Sequence, residues 1–121
     1  MSLEFYKLLH FLGLALILMS LGGNIVHALG GGTRESHPAR RMVMMGHGIG
    51  LLIMLVSGFG MLAKLGIGMP PGWALAKLAI WLLLGGLISV TLRMSNLGRP
   101  LWAGIPALVV LAGWLATYKP F

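Results

Sequence analysis

Between Lys7 and Arg34 the chain carries no charged side chain, and the same gap recurs between Arg41 and Lys64 and between Arg99 and Lys119. Crossing a hydrocarbon core of roughly 30 Å takes about 20 mostly apolar residues in a helix, so each interval accommodates one crossing. The stretch from Trp73 to Leu92 supplies a fourth, with Lys77 the only charge inside it. A water-soluble alternative fails on composition. Of the 121 residues 58% are hydrophobic and only 9% charged, against about 25% charged in ordinary soluble domains.

The pattern predicts an all-α, integral membrane four-helix bundle with helices near 5–29, 42–66, 72–94 and 101–118. Gly30-Gly31-Gly32-Thr33 with His37-Pro38 is a helix stop and a turn. Pro70-Pro71-Gly72 is a tight reversal, and Arg99-Pro100 begins the last helix. All links are short, so neighbouring helices must run antiparallel, up and down, and residues 1–121 form a single transmembrane domain. The first apolar run is longer than a signal-peptide core, and Glu4 stands where such a peptide carries positive charge. It is therefore expected to remain as the first crossing.

The chain has no cysteine, which excludes disulfides and thiol chemistry. In a soluble protein the net charge of +7 would suggest nucleic acid. Here no nucleic-acid partner is expected, because the charge falls in links beside anionic headgroups of the lipid bilayer. Arg34, Arg40, Arg41, Arg93 and Arg99 fall on the side of the first and third links, and Lys7, Lys64 and Lys119 on the other. The positive-inside rule then puts those links in the cytoplasm and both termini on the non-cytoplasmic side, with a bacterial inner membrane as the expected location. Trp73 and Trp102, near helix starts, and Trp114 with Tyr118, near the end of the fourth helix, read as interfacial anchors.

Polar and small residues fall in stripes. In the first helix His10, Gly13, Ile17, Ser20, Asn24 and His27 keep a three-four spacing, which holds them on one face. His47, Gly50, Met54, Ser57, Met61 and Lys64 repeat it in the second helix, and Lys77, Trp81, Leu84, Ile88, Thr91 and Ser95 in the third. Polar groups are costly against lipid, so the stripes should face one another. The fourth helix has none and reads as a cover, with Pro106 able to bend it. Serines and glycines on such faces are ordinary packing devices, Gly46 and Gly50 among them. The histidines and Lys77 separate by depth. His10 and Lys77 lie at one level near the outer side, and His27 and His47 near the inner side. His10 and His47 differ in height by about 15 Å at 1.5 Å per residue.

Each has a structural alternative. Lys77 can snorkel to the interface, His27 can cap the first helix, and His47 can bond a backbone carbonyl. His37 reads as a solvated link residue, and His10 is the hardest to explain as structure alone. Met42, Met44 and Met45 raise Cu(I) ligation, yet three thioethers beside an apolar helix start read more simply as core filler. Glu4 and Glu35 are the only acids, so paired-carboxylate hydrolysis is not expected.

Tyr6-Lys7-Leu8-Leu9-His10 resembles the lysine-x-x-histidine opening of the SirB family and of the HemJ type of protoporphyrinogen oxidase. Met45-Gly46-His47 with Leu51-Leu52 and Ser57-Gly58 resembles the second SirB helix. Gly72-Trp73, Lys77-Leu78 and Leu84-Gly85 are similar to the third helix of both families. The resemblance implies a small four-helix membrane protein and, on the HemJ side, haem b and protoporphyrinogen oxidation. His10 would then be the axial ligand or polar contact, and Lys77 would meet a propionate. His47 with His27 forms a second candidate pair. As metal ligands His10 and His47 would not share one iron. The competing expectation is a non-catalytic accessory or structural subunit docking on a larger membrane complex or on its own copy through Gly22-Gly23, Gly46/Gly50 and Gly85-Gly86. A transporter component finds little support, with no acidic relay and no inverted repeat.

Overall fold

The computed structural model describes residues 2–33 and 35–119; Arg34, counted in the charge balance, lies outside the described residues. Four long helices follow one another: α1 (Leu3–Leu29), α2 (Arg40–Lys64), α3 (Gly72–Arg93) and α4 (Gly98–Tyr118), with a 3-10 turn at Ser95–Leu97. Each is long and apolar enough to cross a membrane. The chain is a small four-helix polytopic membrane protein with antiparallel neighbours.

Local chemistry sets the ends. The Phe5 N–H donates to Ser2 Oγ at 3.1 Å, capping α1, and Gly31 takes a left-handed φ of 84° to turn the chain away after Leu29. Helix α2 starts two residues before the expected position, at Arg40, with no side-chain cap. Helix α4 starts three residues early because Pro100 falls in its first turn, where a missing N–H leaves no bond unmade. Pro106 sits inside α4, which continues through it.

Helix α1 is the central element, touching all three others, whereas α4 packs on α1 and α3 and, among the described residues, does not reach α2. Ile17, Leu21 and Ile25 of α1 meet Ile80, Leu84 and Ile88 of α3 and Ile105 and Leu115 of α4 in one core. The outer surface is also apolar, with Leu8, Phe11, Met19 and Val110 mostly exposed, as lipid contact requires. The closest approach is between α1 and α2. A Cβ placed on Gly13 would lie 2.8 Å from the Gly50 carbonyl oxygen, and one on Gly50 would lie 2.9 Å from that of Gly13. These two backbones touch because neither residue has a side chain. Tyr6 beside Gly60, His10 beside Ser57 and Ser20 beside Gly46 extend the same antiparallel register along both helices.

Candidate functional site: an intramembrane polar seam

The three stripes do face one another. Gly13, Ile17, Ser20 and Asn24 of α1, His47, Gly50 and Ser57 of α2, and Leu84, Ile88 and Thr91 of α3 are all buried. Helices α1 and α3 run parallel, and their register is pinned where Asn24 Nδ2 donates to Thr91 Oγ1 at 3.2 Å. His10 precedes Asn24, and Lys77 precedes Thr91, by the same fourteen residues. That is close to four helical turns in each case, so His10 and Lys77 share a level and the face of the pinned pair.

At that level His10 Nδ1 lies 2.9 Å from Ser57 Oγ, and the Ser57 hydroxyl donates to the Met54 carbonyl at 3.1 Å. The serine proton is thereby committed. In that arrangement the imidazole supplies the other proton: Nδ1–H donates to Ser57 Oγ and Nε2 carries the lone pair. Lys77 is half-buried and within electrostatic reach of the His10 ring; its own charged neighbour is Lys119. Lys119 folds back past the end of α4, donates to the Ala116 carbonyl at 2.8 Å and lies 5.2 Å over the Trp73 ring. This end of the seam is therefore cationic.

His47 is buried in the middle of the bundle, and neither ring nitrogen has a hydrogen-bond partner among the described residues. Its ring turns toward the Gly85 carbonyl without closing a bond. The α1–α2 register sets His47 opposite Ser20, whose hydroxyl bonds back to the Leu16 carbonyl at 2.7 Å. His47 lies ten residues before Ser57, about 15 Å along the axis from the His10 level.

His27 turns to the first link instead of to His47. Its Nε2–H donates to the Thr33 carbonyl at 2.8 Å, and its ring stacks on His37 with centroids 4.4 Å apart. The expectation of a solvated His37 is corrected here, because the link folds that ring onto the seam and half-buries it. The Ala39 N–H donates to His37 Nδ1 at 3.2 Å, so the ring proton is on Nε2, which donates to Asn24 Oδ1 at 2.9 Å. Thr91 in turn donates to the Ile88 carbonyl at 2.8 Å. One directional chain of hydrogen bonds thus ties the first link to α1 and α3. Asn24 and Thr91 were visible in the stripes; the arrival of His37 was not, since it depends on the path of the link.

Burial, and then the neighbouring His27, hold the His37 pKa below its ordinary 6.5. The folded protein thus binds fewer protons at this ring than the unfolded chain. The stabilising contribution is present above 6.5 and is lost as pH falls through the lower folded value. Thermal unfolding at about pH 7.5 and about pH 5.5 should show a lower midpoint in acid. A His37→Gln variant, which retains a donor but does not titrate, should show a smaller difference, and an equal one would remove His37 as the cause.

Met42, Met44 and Met45 are also corrected: they lie exposed on α2, Met42 and Met45 on the side away from His47, and are not core filler. Among the described residues no group of three or more His, Asp or Glu side chains converges on a common point. An open groove of about 660 Å³ runs along the outer face of α2 from Pro38 to Ile49. A smaller pocket of about 190 Å³ lies between Phe59 and Pro70. Neither borders His10, His27, His47 or Lys77. Comparison with known protein families, curated proteins and solved structures finds no match to this chain.

Proposed function

We propose that this protein holds a planar anionic cofactor of the haem b kind at the His10–Lys77 end of its seam, in keeping with the SirB and HemJ likeness. The observation that carries this reading is the hydrogen-bond state of His10. Ligating histidines commonly donate their second ring N–H to a fixed acceptor, which orients the ring and leaves the other nitrogen for the metal. Ser57, held by Met54, is such an acceptor. The donor set fits a single-histidine site and not a two-histidine cage, given the height of His47. His10 would hold the iron and Ser57 would fix its ring. Lys77, with no carboxylate beside it among the described residues, would neutralise a propionate. Bound haem would supply one-electron chemistry, and oxidation of a porphyrin precursor is the reaction the HemJ likeness suggests. The positive-inside rule, applied to the charges of the links, favours this end, with both termini, on the non-cytoplasmic side.

Expression with added haem precursor followed by an absorption spectrum tests the reading. The purified protein should show a Soret band, His10→Ala should abolish it, and Ser57→Ala should weaken binding by about tenfold or more. A colourless wild-type protein would overturn it.

A second reading, an accessory subunit docking on a larger complex or on its own copy, is favoured by glycines left open. Gly50 is consumed by contact with α1 and Gly46 lies beside Ser20, but Gly22, Gly23 and Gly86 have nothing within 4 Å of an added Cβ. A colourless protein that purifies in mild detergent as one copy without a partner would remove both readings.

A further inference from the structure

The groove on the outer face of α2 is a concavity of about 660 Å³ whose chemistry the seam does not explain. Its walls are Met42, Met45 and Ile49, its floor is Gly46, and the one charged side chain on it is Arg41, at the mouth beside Pro38. From Arg41 to Ile49 it extends about 12 Å along the helix, down from the end of an apolar span.

The mouth carries uncompensated positive charge. Arg40 and Arg41 open α2, there is no acid in its first turn, and no side chain caps it. Helix N-termini favour anions, so two guanidiniums there reinforce the field of the exposed N–H groups instead of offsetting it. The N–H groups of Arg41 and Met42 find no acceptor among the described residues; the flanking Arg40 and Val43 bond back to His37 and Ala39. Charge at the mouth and an apolar trough below it match one occupant chemically.

We infer that this groove binds an anionic phospholipid, its phosphate on Arg41 at the start of α2 and one acyl chain lying over Gly46 between Met42, Met45 and Ile49. A second protein helix would cover the methionines but leave the guanidiniums facing apolar surface. Free phosphate would satisfy the charge and leave the trough empty. The site is independent of the cofactor reading, since it uses neither His10, Ser57 nor Lys77; only Gly46, beside Ser20, adjoins the seam.

Native mass spectrometry of the full chain in detergent, with phosphatidylglycerol or phosphatidylcholine added, tests the inference. Phosphatidylglycerol should be retained preferentially. Arg41→Gln should weaken that retention by about fivefold or more, whereas Arg99→Gln, a basic change at the same end but off the groove, should not. Equal loss in Arg99→Gln would show diffuse surface charge and overturn the site. Inorganic phosphate should neither displace the lipid nor raise the melting temperature; stabilisation by phosphate alone would overturn the lipid assignment. A dimer that Arg41→Gln dissociates would assign the groove to a second copy instead.

Discussion

Replacing Gly13 by alanine should destabilise the protein by about 1–3 kcal/mol, while the same change at Gly22 in the same helix should be neutral or mildly stabilising. The two sites differ in what an added methyl group meets. At Gly13 it would lie 2.8 Å from the Gly50 carbonyl oxygen, 2.8 Å from Met54 Cγ and 3.0 Å from the Met54 nitrogen. Two of those three atoms are helix backbone and cannot rotate aside. Relief requires α1 and α2 to separate, which loosens the contacts of Tyr6 with Gly60 and of His10 with Ser57 along the same seam. At Gly22 nothing lies within 4 Å, so the gain in helix propensity goes unopposed. Thermal unfolding in detergent, followed by circular dichroism, reads the difference in sign. Equal midpoints for the two variants would show that the helices do not touch at Gly13.

Much of this architecture was legible in the sequence, because a bilayer leaves few alternatives. Charge-free intervals between Lys7 and Arg34, and between Arg41 and Lys64, admit one helix each, and every backbone group must be satisfied within it. The inward face was legible for a related reason: Ser20, Asn24, Ser57 and Thr91 cost too much against lipid to lie elsewhere, and all four are buried. The matched level of His10 and Lys77 followed from counting residues along parallel helices. What escaped was whatever depends on a link's path or on register between helices. His37 reads as solvent-exposed until the turn after Gly31 folds it onto His27 and Asn24. The Gly13–Gly50 contact needs the antiparallel register, which spacing within one helix does not supply. The outward position of Met42 and Met45, by contrast, was available from helical period, since both lie on the side of α2 away from His47.

Substituting Asn24 by alanine is the second large expected effect, again about 1–3 kcal/mol, and here the route of the loss matters more than its size. Asn24 is almost fully buried, and its amide makes two interhelical or link bonds at once, accepting from His37 and donating to Thr91. Alanine removes both and leaves the volume unfilled. Thr91→Val keeps the shape and removes only one of the two Asn24 bonds, together with the local bond from the Thr91 hydroxyl to the Ile88 carbonyl within α3. Interhelical hydrogen bonds in membranes average about 0.6 kcal/mol and reach about 1.7, so Thr91→Val should cost distinctly less than Asn24→Ala. The two changes share a bond, so the double variant should be little worse than Asn24→Ala alone. Strict additivity would mean the Asn24–Thr91 bond carries no energy. Equal single costs would mean that the His37 arm carries none, and the first link would then rest on the bundle without being fastened to it.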